Sequence, residues 1–170
     1  MGEKIMHCKG SEGILPDEGN IITKNFDYND LSRREVRSLI FHLLYAAEGF
    51  DYQDSLESIV NNFNYGFELN IPLKSELVHT AQAIIDEREL LDEKIKPLLH
   101  NWRFDRIGVI TKLILRFALW ELDNTQTVSN VIINEAIELA KCFAEKDAYK
   151  FINGLLDEHV KKTDRCSEEN

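Results

Sequence analysis

The segment FDRIGVITKLILRFALWEL, residues 104–122, decides the fold of this 170-residue chain. Apolar residues fall on almost every side of a helix drawn through it, so little polar face remains for solvent. A helix of this kind is stable only when other elements cover it. The segment therefore predicts a central, buried helix, and the rest of the chain must supply its cover.

Further segments carry apolar residues at helical spacing, and turn-forming residues separate them. No stretch alternates apolar and polar residues as a half-buried strand does. The sequence therefore predicts an all-α fold of about seven helices. The other members begin near Ser32, Gln53, Ser75, Glu89, Val131 and Ala148.

The two ends of the chain differ from this pattern. Residues 1–30 show no helical period and contain the turn-forming run PDEGN (16–20), so we expect a mobile N-terminal extension. Residues 31–163 form the predicted helical domain. The polar residues 164–170 are expected to be a frayed tail.

The composition limits the function. With a net charge of -10 and a pI near 5.0, the chain repels phosphate at long range. This argues against non-specific coating of nucleic acid but leaves a local basic patch open. The most apolar run, 113–120, is short and contains Arg116, so we expect no membrane span. No signal peptide is evident, and Cys8, Cys142 and Cys166 are widely spaced, which favours free thiols in the cytoplasm.

Three arginines stand at the start of the first helix. Ser32-Arg33-Arg34-Glu35 has the spacing of a capping box. Arg33 and Arg34 then lie beside the positive end of the helix dipole, and Arg37 lies one turn beyond Arg33, so the cluster costs stability. Phosphate binding would account for it, because guanidinium groups and free helix amides both suit that anion. Pairing with nearby acidic side chains is the competing interpretation, the candidates being Asp27, Asp30 and Glu35.

A second candidate binding feature lies where the last two helices meet. Phe143, Asp147, Lys150 and Phe151 combine aromatic rings, on which RNA bases stack, with a cation for phosphate. Taken alone, the spacing favours core positions for both phenylalanines and an N-cap role for Asp147. Gly154 weakens the last helix, and we expect close approach of a neighbouring helix to compensate.

Catalysis finds little support in the sequence. It contains no Gly-rich phosphate loop, no H-E-x-x-H motif and no nucleophile elbow. Glu76-x-x-His79 has the spacing of a di-iron ligand pair, but such sites need two copies, and no other histidine follows a glutamate at this spacing. We therefore expect a protein that is not an enzyme, with no catalytic residues, no metal and no cofactor.

Several of these segments together resemble the NusB family. The similarity is most specific near the C-terminus, covers roughly residues 32–158, and is weak over residues 50–97. The segments that carry it are RREVR (33–37), LY (44–45), NW (101–102), DR (105–106), LRFALWEL (115–122), INEAIELAK (133–141), Phe143, Asp147 and KFINGLLD (150–157).

The resemblance implies a fold and a function. The fold is two packed helical bundles, residues 31–100 and 101–163. The function is transcription antitermination. The protein would bind the boxA element of nascent ribosomal RNA as a single strand, together with NusE, a ribosomal small-subunit protein. Through them it would join the RNA polymerase antitermination complex. By position, the RNA-facing residues are Arg33, Arg34, Arg37, Phe143, Asp147, Lys150 and Phe151, and the NusE-facing residues are Tyr45 and Thr111. Spacing alone favours core positions for Phe143 and Phe151, whereas the resemblance implies that both face RNA.

Three positions depart from the family pattern. Glu35 stands where members are often basic, which predicts weaker RNA binding. Thr111 stands where some members place an acidic residue toward NusE, and Leu98 where some place an aromatic residue toward RNA.

The net charge of -10 and Glu35 motivate an alternative, a helical protein-interaction scaffold that has lost RNA binding. A NusB-like domain of an rRNA cytosine methyltransferase would need a cofactor-binding α/β domain, which these 170 residues do not include. A homodimer that hides the RNA surface stays open.

Overall fold

The computed structural model describes residues 28–100 and 102–168. Within these ranges the regular secondary structure is helical, with no strand. The prediction of an all-α fold with about seven helices is confirmed. The α-helices are α1 (Arg33–Gly49), α2 (Leu56–Phe67), α3 (Glu76–Asp86), α4 (Arg88–Ile95), α5 (Val109–Asn124), α6 (Ser129–Phe143) and α7 (Ala148–Glu168).

Both ends of the chain bear on the sequence predictions. Most of the predicted extension, residues 1–27, lies outside the described residues, and its last residues form a single 3-10 turn, Tyr28–Asp30. α7 continues to Glu168, so a helix runs through most of the segment expected to fray. Cys142 is disulfide-bonded, which corrects the expectation of free thiols.

Serine residues begin the first three helices. Ser32, Ser55 and Ser75 have extended backbone, and each side chain accepts a hydrogen bond from an amide in the first helical turn. At α1 the bond is reciprocal, because the Ser32 amide donates to Glu35 over 2.8 Å and completes the predicted capping box. Such caps satisfy amides that a helix start leaves unpaired, and each is worth about 1 kcal/mol.

The central position of α5 follows from its sequence. Thr111 and the continuous run Leu113–Leu119 are buried. α5 contacts α1, α3 and α4 as well as α6 and α7. The helix begins later than predicted, since Phe104–Arg106 forms a 3-10 turn and the non-helical Gly108 precedes the first helical residue. The prediction of a central, buried helix is confirmed.

The remaining helices form two groups around α5. α1 packs against α2 and α3, α3 packs against α4, and α6 packs against α7. α4 ends at Ile95, and the 3-10 turn Lys96–Leu98 carries Pro97, which lacks the amide hydrogen that an α-helix needs. Because α5 contacts members of both groups, one apolar core runs through the domain.

A buried arginine also joins the two groups. Arg116 of α5 is 7% exposed, and its guanidinium donates to both carboxylate oxygens of Asp92 on α4, at 2.7 and 2.9 Å. It also donates to Glu48 of α1 and to the Tyr52 hydroxyl, both at 3.0 Å. Burial alone would lower the pKa of Arg116, but the hydrogen bond to Asp92 and the neighbouring charges outweigh it and raise the pKa. Three helices and the loop after α1 thus meet at one permanent cation.

Candidate nucleic-acid and partner interface

The arginine cluster at the start of α1 begins on the surface. Arg33 is exposed, and no ion pair joins it to another described residue. Arg34 pairs with Glu135 of α6 at 3.0 Å, although 62% of the arginine side chain is exposed. The hydrogen bond to Glu135 raises the pKa of Arg34. An ion pair this open is worth about 0–1 kcal/mol, so a phosphate can replace the carboxylate at little cost.

Arg37 occupies a different environment. It pairs with Glu121 of α5 over 2.9 Å, and the two side chains are only 12% and 13% exposed. Its Nε atom donates to the same carboxylate at 3.0 and 3.1 Å. This ion pair links α1 to α5. The interpretation of pairing with acidic side chains applies to Arg34 and Arg37, but their partners are glutamates on α6 and α5 and not the nearby candidates.

Phe143, at the end of α6, belongs to an aromatic cluster with Phe41, His42 and Tyr45 of α1. Its ring stacks on Phe41 with 5.1 Å between centroids, and it meets His42 edge-on at 5.2 Å. Tyr45 also stacks on Phe41, at 6.5 Å. Phe143 therefore packs between helices, as its spacing alone predicts, and its contact with RNA stays a prediction.

Tyr45 and Thr111, the predicted partner-facing residues, line one surface cavity. Phe143 and Val109 border the same cavity. Tyr45 is 51% exposed and Val109 43%, whereas Thr111 is 7% exposed and shapes the floor. The structure thus brings Phe143 together with the predicted NusE-facing residues.

An apolar groove between α1 and α2 adjoins this cavity and shares Tyr45 and Gly49 with it. Phe50 and Phe67 line the groove and are 50% and 41% exposed. Exposed apolar side chains that converge in this way are typical of a surface that another molecule covers, whereas scattered ones are ordinary. The cavity and the groove together form the candidate partner surface.

Asp147 and Lys150 pair with each other in the turn between α6 and α7. The distance is 2.8 Å, and the side chains are 52% and 65% exposed. The hydrogen bond to Asp147 raises the pKa of Lys150. Asp147 has a left-handed backbone with φ of 68°, whereas an N-cap has extended backbone. The predicted N-cap role of Asp147 is therefore wrong.

Phe151, near the start of α7, lies beside Trp102, which the sequence did not single out as a binding residue. The rings of Phe151 and Trp102 are 5.8 Å apart between centroids and inclined by 64°. Phe151 is half-buried, whereas Trp102 is 62% exposed. A signal was available, because Trp102 lies between Pro97 and the predicted helix that starts at Phe104, outside any predicted apolar helix face.

Gly154 follows Phe151 by one turn of α7 and is exposed. A Cβ atom added to Gly154 would meet nothing within 4 Å. The expectation that a neighbouring helix approaches closely here is therefore wrong. The glycine leaves an open surface beside Phe151.

Metal-ligand clusters and membrane-spanning helices are both absent from residues 28–100 and 102–168. No three histidine, cysteine, aspartate or glutamate side chains in these ranges gather as metal ligands do, and Glu76 and His79 form no such group. In the same part of the chain, every helix is too short or too polar to cross a bilayer. The candidate sites consist of exposed cations, aromatic rings and an apolar cavity.

These features define the class, a small all-helical domain with exposed cations and an apolar cavity on its surface. The NusB family model matches residues 34–161. A relative from Macrococcus caseolyticus, called transcription antitermination protein NusB, is 36% identical over 135 residues, which is 77% of this chain and 98% of the relative. One of the same name from Staphylococcus aureus is 35% identical over 133 residues, or 78% and 100%. The solved structure of T. maritima NusB matches with a TM-score of 0.67 and 29% identity, covering 77% of this chain and 92% of that one. The chain belongs to the NusB family of transcription antitermination proteins, and the resemblance drawn from its sequence is confirmed.

Proposed function

We propose that this chain binds single-stranded boxA-type RNA together with NusE, a ribosomal small-subunit protein, and so joins the RNA polymerase antitermination complex. Membership of the NusB family supports this role. The protein acts by recognition, without catalysis or a cofactor. We place it in the bacterial cytoplasm, where RNA is transcribed. That placement does not rest on the cysteines, since Cys142 is disulfide-bonded.

The observation that carries the RNA proposal is the exposure of Arg33 and Arg34 at the start of α1. Two cations there oppose the helix dipole, and a bound phosphate relieves that opposition. Arg37 has a supporting role, because its pair with Glu121 holds α1 against α5. Lys150 and Phe151 supply a second contact region at the start of α7.

Fluorescence anisotropy with a boxA-type RNA and a scrambled RNA of equal length tests this proposal. Arg33→Ala and Arg34→Ala are each compared with Lys74→Ala, which removes one exposed charge from the loop between α2 and α3. We expect each arginine variant to weaken binding and to reduce the slope of log affinity against log salt by about 0.7. Lys74→Ala should change neither quantity. Equal effects of all three variants, or equal affinity for both RNAs, would contradict a specific site at α1.

The cavity at Tyr45 and Thr111, with the groove lined by Phe50 and Phe67, is the proposed NusE surface. Tyr45→Ala removes a half-exposed ring from it. We expect NusE binding, measured by calorimetry, to weaken about tenfold or more, as at other aromatic interface residues. Tyr65→Ala removes a 92% exposed ring from α2 and is the matched control, which should bind NusE as the wild type does.

A protein-interaction scaffold without RNA binding is the second candidate. The observation in its favour is that Arg34 and Arg37 are each paired with a glutamate, in a chain with a net charge of -10. Binding of NusE with no binding of either RNA would establish the scaffold, and selective boxA binding strengthened by NusE would exclude it. Sedimentation at the same concentrations distinguishes a lost RNA site from one that a homodimer covers.

A further inference from the structure

Trp102 is a large apolar side chain that the fold leaves on the surface. It lies between the 3-10 turns Lys96–Leu98 and Phe104–Arg106, and 62% of it is exposed. An indole ring that packs fully can bury on the order of 150–250 Å², so this position forgoes stabilisation that the core would provide. The edge-to-face contact with Phe151 fixes the inclination of the ring at 64°. The ring is therefore oriented but not covered.

The surface next to the Trp102–Phe151 pair is low and open. Gly154 lies one turn beyond Phe151 on α7, and a Cβ atom there would meet nothing within 4 Å. Glycine inside a helix is less stable than alanine, and no packing contact among the described residues requires it here. A groove continues from Gly154 along α7, past Asp157 and Lys161. A flat ligand can therefore approach the two rings without a clash.

Cations flank the aromatic pair on both chain segments. Arg103 follows Trp102 in the chain and binds Asp105 with two hydrogen bonds of 2.8 and 3.0 Å, and these side chains are 71% and 61% exposed. Lys150 pairs with Asp147 and is equally open to solvent. Ion pairs this exposed are weak because water screens them, so a phosphate can displace either carboxylate. Stacking rings flanked by cations are what single-stranded RNA requires of its binding site.

We infer that Trp102 stacks on a base of the bound RNA and forms with Phe151 a platform for one unstacked nucleotide; this inference rests on the proposed RNA-binding function. Leu98 is 4% exposed and cannot reach a base. Trp102 supplies the exposed ring from the adjacent loop. Arg103 and Lys150 hold the phosphates on either side of the stacked base.

The presence of two tryptophans in the chain allows a direct test by intrinsic fluorescence. Trp120 lies on α5, and its buried Nε1 has no hydrogen-bond partner in the described structure, so Trp120→Phe removes no bond. In that variant Trp102 is the sole tryptophan. We expect single-stranded boxA-type RNA to quench its emission, with the same midpoint as the anisotropy titration. Unchanged emission at saturating RNA overturns the inference.

Affinity measurements in the otherwise unchanged chain give an independent test. Trp102→Ala should weaken RNA binding roughly five- to one-hundred-fold. The salt dependence should stay the same, because no phosphate contact is lost. Trp102→Phe should keep most of the affinity, and Tyr65→Ala, which removes an exposed ring from α2, should keep all of it.

The outcomes separate this inference from the function on which it rests. Wild-type RNA affinity in Trp102→Ala overturns the inference alone. If Trp102→Ala loses NusE binding but keeps RNA binding, the inference is also overturned, because the ring would then serve a protein partner. No RNA binding by the wild-type chain defeats the proposed function and this inference with it.

Discussion

Replacing Arg116 by methionine should lower the free energy of unfolding by about 3 kcal/mol. The guanidinium makes four hydrogen bonds, two to Asp92, one to Glu48 and one to the Tyr52 hydroxyl. Without it, two carboxylates that are 17% and 28% exposed have lost their shared cation. Removing one partner of a buried pair costs about 3–5 kcal/mol, and the partial exposure of these carboxylates places Arg116→Met at the lower end.

Urea unfolding followed by far-UV circular dichroism measures this loss, which corresponds to a melting temperature lower by about 6–12 °C. Arg103→Met is the matched control, because Arg103 binds Asp105 through a similar two-bond contact but in an exposed pair. Its cost should stay below about 1 kcal/mol.

A double variant tests the cause of the loss. Arg116→Met combined with Asp92→Leu should regain much of the stability, since apolar groups can replace a buried ion pair at little cost. Equal losses for Arg116→Met and Arg103→Met would refute the reasoning that burial gives the Arg116 cluster its weight. A double variant as unstable as the sum of its parts would refute it as well.

Three further predictions concern stability and can use the same urea assay. Gly154→Ala should raise the free energy of unfolding by about 0.5–1 kcal/mol, because the position is open and alanine favours the helix; a decrease would reveal a contact that the geometry lacks. Ser32→Ala removes the side-chain half of the capping box and should cost about 1 kcal/mol, and no change would mean that water satisfies those amides equally well. Burial lowers the pKa of His42 below its ordinary 6.5, although the hydrogen bond to the Ser38 carbonyl opposes this. The unfolded chain then binds the proton more readily, so stability should fall as pH drops below about 6.5, by at most about 1.4 kcal/mol per pH unit. His42→Gln should lose that component, and an unchanged slope would contradict its assignment.

Both proposed surfaces depend on α1. The exposed arginines lie at its start and Tyr45 lies near its end, about 16 Å further along the axis. Arg37 lies between them and Glu48 follows Tyr45, and these two residues bind α5 through Glu121 and Arg116 respectively. Two ion pairs with the central helix therefore fix the one element that both ligands would contact. The RNA site and the partner site should keep a constant separation when either is occupied.

The helices themselves could be predicted from the sequence. The apolar run of α5 indicated a buried centre, and Ser32 and Glu35 indicated where α1 begins. Each of these signals lies within one or two helical turns. Caps and helical hydrogen bonds join residues three or four positions apart. A short stretch of sequence is therefore enough to predict where most of these helices form.

The candidate sites depended on contacts that no local pattern contains. The sequence determined that three arginines lie at the start of α1 and that Phe143 and Phe151 flank the turn between α6 and α7. Only the tertiary structure decided that Arg34 meets Glu135, 101 residues away, and that Arg37 meets Glu121, 84 residues away. Likewise, only the fold turned Phe143 toward Tyr45 and left Trp102 and Gly154 open to solvent. The physical reason is that helical periodicity fixes which side of a helix is apolar, whereas the angle and register at which two helices pack decide which of their polar and aromatic side chains meet.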